Sequence, residues 1–229
     1  MNVLHSPFPF QIVCSQRFRE ACPAFAGAAV YAEITLTDTP PALWAEIERL
    51  TGDLRCHYDT ATIKTRPGIA ATRQLYRVLG KDPSRYRPAC EQLARRILQG
   101  KSLYRINALV DLVNYASLYS GYSTAGLDAD WLHGETLTLD VGHDGEPYEG
   151  IGRGPLNIAD LPVYRDDAGP FATPTSDSTR TRIRPGTRRL LMLVNGCDGH
   201  RDTLAKTVKE ALRLLRAYAS SQNECTLMY

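Results

Sequence analysis

Residues 100–115 read GKSLYRINALVDLVNY, and this stretch decides the fold because it contains the clearest buried-helix pattern of the chain. Through Ile106–Tyr119 the apolar residues recur at the spacing of a broad helical face. The members of that face are Ile106, Leu109, Val110, Val113 and Leu118. A face this broad predicts a helix that is buried in the core of a domain.

The same helix has a row of polar residues beside its apolar face. Asn107, Asp111 and Asn114 are four and three residues apart, so they lie on one side of a helix. Polar side chains next to a core must find partners, so this row either braces a neighbouring loop or lines a pocket. We interpret Asn107 and Asp111 as structural.

On both sides of this helix the pattern changes between strand and helix signals. Helices are predicted at Leu43–Leu50, Ile69–Leu79 and Ala89–Leu98, and in a last segment with Asp202 as its cap and a stripe through Leu204, Val208, Leu212, Leu215 and Tyr218. Strands are predicted at Gln11–Cys14, Ala29–Leu36, in short pieces from Leu137 to Val163, and at Leu190–Val194. The last of these is a continuous apolar run, which is typical of a central strand. Together the elements predict a mixed α+β domain.

The composition is that of an ordinary globular protein, with 229 residues, 43% hydrophobic and 23% charged. No stretch has the ~18 apolar residues that a membrane span requires. Met1–Phe10 lacks the basic and apolar regions of a signal peptide, so we predict a cytoplasmic protein. The six cysteines include no C-x-x-C pair. We therefore expect reduced thiols, no metal site and no cofactor.

Charge is unevenly distributed along the chain. Residues 64–105 contain eleven Lys or Arg and two acids, whereas residues 128–177 contain eleven acids and two bases. Such asymmetry favours a polyanionic partner for the basic segment. The alternative is that the two segments pair with each other across the fold.

Three further stretches, together with residues 100–115, indicate a family. Residues 73–88 read RQLYRVLGKDPSRYRP, residues 148–154 read YEGIGRG with Asn157 after them, and residues 174–181 read PTSDSTRT. In this order they resemble stand-alone relatives of the B3/B4 domain of the phenylalanyl-tRNA synthetase beta subunit. The resemblance implies a single α+β domain over residues 1–229, its core at about 10–220, with a mixed β core and flanking helices. It also implies contact with tRNA and hydrolysis of a misacylated aminoacyl-tRNA.

The turn between Pro83 and Pro88 is the first candidate for RNA contact. The two prolines stiffen a loop that presents Arg85, Tyr86 and Arg87. Guanidinium groups suit phosphates and a tyrosine ring can stack on a base. The predicted RNA-binding set is Arg73, Arg85, Tyr86, Arg87, Arg95, Arg96 and Lys101. Alternatively, Arg85 and Arg87 hold the fold by pairing with acids such as Asp82 or Asp111.

A substrate pocket is predicted from the helix and from loop 173–181. The resemblance implies that Asn114 contacts the amino-acid moiety of the substrate. In the loop, Ser176 and Ser178 would hydrogen-bond the substrate together with Thr175, Asp177 would bind an α-ammonium group, and Arg180 would bind a phosphate. The alternative is that these side chains only satisfy their own turn.

The stretch around residues 149–157 is a third candidate wall of the pocket. Glu149 is the candidate catalytic residue, as a base that orients water, and Arg153 and Asn157 are candidate substrate contacts. A solvated or ion-paired Glu149 is the alternative. No His or Lys lies beside Ser178, which argues against an activated serine nucleophile.

One position departs from the synthetase domain, which has a histidine where this chain has Ala125. The leading hypothesis is a trans-acting hydrolase of misacylated aminoacyl-tRNA. A non-catalytic tRNA-binding module, which the alanine favours, is the second. An amino-acid-binding protein that has lost RNA binding is the third.

Overall fold

The computed structural model describes residues 8–229. The stretch Met1–Phe10, on which the prediction of no signal peptide depends, therefore lies mostly outside the described residues. Residues 8–229 contain six α-helices, namely α1 (Gln16–Ala21), α2 (Pro41–His57), α3 (Pro67–Val78), α4 (Ala89–Leu98), α5 (Ala108–Ser120) and α6 (Arg201–Tyr218). None of these helices combines the length and the apolar content needed to cross a lipid bilayer.

The same residues form eleven strands, several of them very short. They are β1 (Gln11–Cys14), β2 (Ala26–Glu33), β3 (Thr124–Asp128), β4 (Thr136–Val141), β5 (Glu149–Gly150), β6 (Gly154–Pro155), β7 (Pro162–Asp166), β8 (Gly169–Thr173), β9 (Ser176–Asp177), β10 (Arg189–Gly196) and β11 (Gln222–Met228). One sheet has the order β1-β4-β7-β8-β9 and a second has the order β11-β2-β10-β3, while β5 and β6 form a separate hairpin. Only the β1–β4 pair is parallel among the strand pairs of residues 8–229.

The four-stranded sheet lies in the middle of the molecule, and strand β10 shows why. Leu190, Met192 and Val194 belong to the core that the sheet shares with α2, α4, α5 and α6. Leu191 and Leu193 point to the other face, into the core shared with the five-stranded sheet. Both faces are covered, so the strand reads as an unbroken apolar run. The predicted central position of this strand and the α+β class are confirmed.

Several predicted boundaries are wrong, and packing explains them. The helix predicted from Ile106 begins at Ala108 after an Asn107 cap, so Ile106 lies outside it and is 58% exposed. The helix predicted at Leu43–Leu50 continues to His57, since Leu54 extends its buried stripe. Strand β2 begins and ends three residues earlier than predicted. Asp202 lies inside the first turn of α6, which begins after His200.

Candidate functional site

The start of helix α5 is fixed by two of the polar residues that the sequence places on one face. The Asn107 side chain accepts a hydrogen bond from the Val110 backbone N–H at 2.9 Å, as an N-cap does. The Asp111 carboxylate accepts from the Thr39 hydroxyl and from the Ile106 backbone N–H. Both residues therefore brace the segment around the helix start, as interpreted from the sequence.

A cavity of about 910 Å³ opens beside this end of α5, and we call it the α5 cavity. Its volume falls in the range of small-molecule sites, roughly 300–1,000 Å³. Its walls are mainly apolar, with two arginines and a few polar groups. The lining residues are Leu36, Thr37, Asp38, Ile106, Asn107, Val110, Ile151, Arg182, Ile183, Arg184, Pro185 and Gly186. Asn114 lies one turn beyond Val110 on the same side of the helix and is half-buried.

Asp177 lies close to this cavity, where β3, β9 and the turn after β5 meet. Its Oδ2 atom accepts a hydrogen bond from the Gly126 backbone N–H at 3.2 Å, and its carbonyl oxygen accepts from the Ile151 N–H at 2.9 Å. Burial raises the pKa of the Asp177 carboxyl to about 7, because the single Gly126 N–H compensates only in part for lost hydration. A carboxyl with such a pKa exchanges its proton near neutral pH.

The approach of β3 to α5 depends on Gly126. A Cβ atom at this position would lie 2.6 Å from Val113 Cγ2 and 3.3 Å from Ile183 Cδ1. Glycine therefore brings the Asp177 hydrogen bond close to the cavity wall. Ala125 points to the opposite face of the strand, into the core between the two sheets, and is 6% exposed. The position where the resemblance implies a histidine thus faces away from α5.

Most side chains of loop 173–181 bind other parts of the protein. The Thr175 hydroxyl lies 2.8 Å from the Tyr76 hydroxyl and donates to the Tyr86 carbonyl. The Ser178 hydroxyl accepts from the Arg180 N–H and caps a short 3-10 turn. These contacts match the alternative in which the loop satisfies itself.

The remaining polar atoms of the loop follow the same pattern, with one exception. The Arg180 guanidinium binds both carboxylate oxygens of Asp166, at 3.0 and 2.8 Å. It is therefore committed to an ion pair and is not placed to receive a phosphate. The Ser176 hydroxyl is turned towards the carbonyl oxygens of Ile151 and Asp177. The exception is Asp177, the acid of this loop, whose buried carboxylate accepts a hydrogen bond from the Gly126 N–H alone among residues 8–229.

The three candidates of the 149–157 stretch are exposed and lie apart. Glu149 points to solvent, since its neighbours Tyr148 and Gly150 in the hairpin are the buried ones. The Arg153 guanidinium donates to the Gln92 side chain. The Asn157 side-chain oxygen accepts from the Ala159 N–H at 2.9 Å and from the Lys81 ammonium at 3.4 Å. Asn157 therefore holds a turn, whereas Glu149 is linked to the site only through the hairpin.

Three of the predicted RNA-binding arginines converge on one buried carboxylate, Glu91. Arg73 Nη1 lies 2.9 Å from Glu91 Oε2, and Arg95 Nε lies 2.7 Å from Glu91 Oε1. Arg87 Nε is farther away, 3.8 Å from Glu91 Oε1. Arg73 is buried and also donates to the Pro83 carbonyl. We therefore leave Arg73 out of the candidate RNA-binding surface.

The other members of the predicted RNA-binding set lie near the surface. Arg85 and Lys101 are exposed, and the Lys81 ammonium and the Arg85 guanidinium lie 4.0 and 5.7 Å from the centroid of the Tyr86 ring. Arg96 is half-buried and stacks on the ring of Tyr104 at 3.8 Å.

Tyr104 and Arg105 extend this surface and were not among the predicted contacts. The Tyr104 side chain is 65% exposed, and Arg105 lies over the Trp44 ring at 4.3 Å. The Tyr104-Arg105 dipeptide, in a segment rich in arginine, was the available signal. We use the name loop surface for Arg85, Arg96, Lys101, Tyr104 and Arg105.

The basic and acidic segments do not neutralise each other directly. Within residues 8–229 no ion pair joins residues 64–105 to residues 128–177. The acids pair instead with arginines of their own segment or of other parts of the chain, such as Arg165 with Glu146, Arg184 with Asp128 and Arg17 with Asp160. In the part of the chain that the structure describes, no three acidic, His or Cys side chains are arranged to bind a metal.

The fold and the site define an α+β domain with a ligand-sized cavity at the start of its buried helix. Over residues 71–218 the chain matches the B3/4 domain family, and it belongs to that family. The family predicted from the sequence is thereby confirmed. No curated protein matches the chain.

A solved structure that the chain resembles is an N-terminal fragment of the phenylalanyl-tRNA synthetase beta-subunit from Pyrococcus horikoshii. The two are 9% identical, with a TM-score of 0.47. The match covers 94% of this chain and 50% of the other, so the chain spans about half the length of that relative.

Proposed function

We propose that this B3/4 domain protein binds tRNA and hydrolyses the ester bond of a misacylated aminoacyl-tRNA beside the α5 cavity. The observation that carries the proposal is the position of the Asp177 carboxyl, which is held by the Gly126 N–H beside a cavity with apolar walls. Burial at this place raises its pKa to about 7. A general base is most effective when its pKa lies near the working pH. Asp177 therefore replaces Glu149 as our candidate for the residue that orients water.

The cavity offers complementary groups for the rest of an aminoacyl ester. Val110, Ile151 and Ile183 supply apolar walls for an amino-acid side chain. The Asn114 amide, on the same side of α5, supplies a donor and an acceptor for the amino-acid moiety. Arg182 also lines the cavity and provides positive charge for a terminal phosphate or ribose.

The loop surface supports tRNA as the carrier of that ester. It combines cations with an exposed aromatic ring, the two features that bind single-stranded RNA without sequence preference. Loop residue Ile106 follows Arg105 directly and lines the α5 cavity. A strand that contacts Tyr104 and Arg105 would thus be close to the cavity entrance.

The test is deacylation of Tyr-tRNA(Phe) and a panel of other misacylated tRNAs by the full chain. We expect turnover above the spontaneous rate for at least one member, and its loss in Asn114→Ala and Asp177→Asn. Asp144→Asn is the matched control, since Asp144 is exposed and lies outside the cavity lining. With Asp177 as the base, the enzymatic rate should rise with pH up to about 7 and then level off.

A non-catalytic tRNA-binding module is the second candidate, and alanine at position 125, where the resemblance implies a histidine, favours it. It predicts tRNA binding that weakens steeply with salt and no turnover of any member of the panel. Absence of both turnover and tRNA binding would contradict both candidates.

A further inference from the structure

A second groove lies at the other end of α5, where the helix ends against α6. It has a volume of about 700 Å³, and we call it the α6 groove. The side chains that line it include Tyr119, Lys206, Lys209, Glu210, Arg213 and Arg216. Tyr119 follows Asn107 by twelve residues, which places it about 18 Å along the helix from the α5 cavity. The groove is therefore separate from the proposed hydrolytic site.

The groove has an excess of positive charge. Lys206, Lys209, Arg213 and Arg216 follow each other at spacings of three, four and three, so they share one side of α6. The two arginines are paired with carboxylates, Arg213 with Glu46 and Glu210, and Arg216 with Glu224. The two lysines are exposed and have no ion-pair partner among residues 8–229, which leaves the groove cationic.

A further cation lies beside the groove, at the end of α5. The Arg66 guanidinium donates to the carbonyl oxygens of Leu118 and Tyr119, at 2.6 and 2.8 Å. A cation at this position is favoured by the helix dipole and remains half-buried there. Its charge is therefore fixed next to Tyr119, and no carboxylate among residues 8–229 forms an ion pair with it.

Tyr119 provides a flat aromatic surface at the same place. Its ring stacks on that of Tyr115, with centroids 6.1 Å apart and planes 12° from parallel. Tyr115 is buried, and its hydroxyl donates to Glu210 at 3.1 Å, which fixes the inner ring. The Tyr119 side chain is 37% exposed. A ring supported on one face and open to solvent is a suitable platform for a nucleic-acid base.

We propose that the α6 groove binds a single-stranded segment of RNA, with a base stacked on Tyr119 and phosphates held by Lys206 and Lys209. An acidic peptide would use the cations but not the aromatic platform, which is why the observations favour RNA. The inference uses the RNA partner of the proposed function, but it depends neither on hydrolysis nor on the loop surface.

The experiment measures binding of a fluorescein-labelled oligouridine of about 12 nucleotides, a typical single-strand site size, and of unlabelled tRNA in competition. Tyr119→Ala should weaken binding about fivefold or more, while Tyr119→Phe, which keeps the ring, should bind like the wild type. Lys206→Gln with Lys209→Gln should reduce the slope of log affinity against log salt by about 1.4, since each single-strand phosphate contact contributes about 0.7. Arg19→Gln with Arg188→Gln removes two exposed cations elsewhere and serves as the control.

Each other outcome has a definite meaning. Unchanged oligouridine and tRNA binding in Tyr119→Ala and in the lysine pair would overturn the groove assignment and leave the proposed function standing. Weaker RNA binding in these variants, with unchanged binding when Arg85, Arg96 and Lys101 are neutralised, would support RNA binding by the groove and contradict RNA binding by the loop surface. If polyglutamate displaced the labelled oligouridine as well as tRNA does, and Tyr119→Ala left this competition unchanged, RNA would be overturned as the occupant of the groove. No RNA binding by the wild type would refute both RNA surfaces.

Discussion

Replacing Asp177 with asparagine tests the electrostatics of the candidate site without any assumption about substrate. In the folded protein, burial raises the pKa of this carboxyl from its ordinary 3.8 to about 7. Between these values the folded protein holds a proton that the unfolded chain has released, so folding is weakened as pH rises through this range. Asparagine carries no charge at any pH and escapes this loss. The variant should therefore gain stability relative to the wild type as pH increases.

The size of this effect follows from the two pKa values. A change from 3.8 to about 7, at 1.36 kcal/mol for each pKa unit, corresponds to about 4 kcal/mol. Water reaches part of the half-buried side chain and screens its charge, so we take about half of this figure, about 2 kcal/mol. The advantage of the variant should grow between about pH 4 and pH 7 and stay constant above about pH 8.

The assay is urea denaturation of the wild type and of Asp177→Asn at a series of pH values, with the difference in unfolding free energy plotted against pH. Asp144→Asn, at an exposed position, controls for the general effect of removing a negative charge. A difference that does not change across the range would refute the reasoning, because Asp177 would then titrate alike in folded and unfolded protein. The reasoning would also be refuted if the stability of Asp177→Asn fell relative to that of the wild type as pH rises.

The other predictions concern stability and are checked by the same denaturation assay. Glu91→Ala should cost about 3–5 kcal/mol, since it leaves a buried guanidinium without its carboxylate; a loss below 1 kcal/mol would contradict the role of this ion pair. Asn107→Ala should lower the free energy of unfolding by about 1 kcal/mol, because the helix cap is lost, whereas Asn107→Asp should retain most of the stability that the cap provides. Gly142→Ala should cost about 1–3 kcal/mol, since its Cβ would lie 1.8 Å from the Ile158 carbonyl oxygen. Gly52→Ala, in an open position within α2, should instead stabilise by about 0.5–1 kcal/mol; the opposite order of the two glycine variants would contradict the packing described.

Much of the fold is readable from the sequence where local and tertiary signals agree. Helix α4 has the predicted bounds Ala89–Leu98, because a proline precedes it and a glycine follows shortly after. Strand β11 was missed, since Gln222–Met228 alternates weakly and gains its structure by pairing with β2. Helix α2 was predicted too short because Gly52 interrupts the pattern, whereas packing against the core carries the helix past it.

The site was predictable as a set of segments but not as a set of roles. The sequence pointed to α5, loop 173–181 and the 149–157 stretch, and the last two meet at Asp177, whose carbonyl oxygen accepts from the Ile151 N–H. It gave no measure of burial, so it predicted Glu149 as the base and Asp177 as the ligand of an α-ammonium group. Only the folded chain shows that one has lost most of its hydration while the other remains in solvent. The predicted substrate contacts remain predictions until deacylation is measured.

The charge of the basic segment illustrates why composition overstates a binding surface. Of its eleven cations, Arg73, Arg87 and Arg95 surround Glu91, and Arg73 also holds the Pro83 carbonyl. These arginines stabilise the turn that presents Arg85. Part of the positive charge is therefore used in structural ion pairs, and only the rest is exposed on the surface. The three guanidinium groups around one carboxylate still leave an excess of two charges beneath that turn. A phosphate bound to Arg85 would thus also be attracted by Arg73, Arg87 and Arg95, with which it has no direct contact. Its affinity would depend on Glu91 in two ways, because this carboxylate holds the turn in shape and also neutralises part of the positive charge.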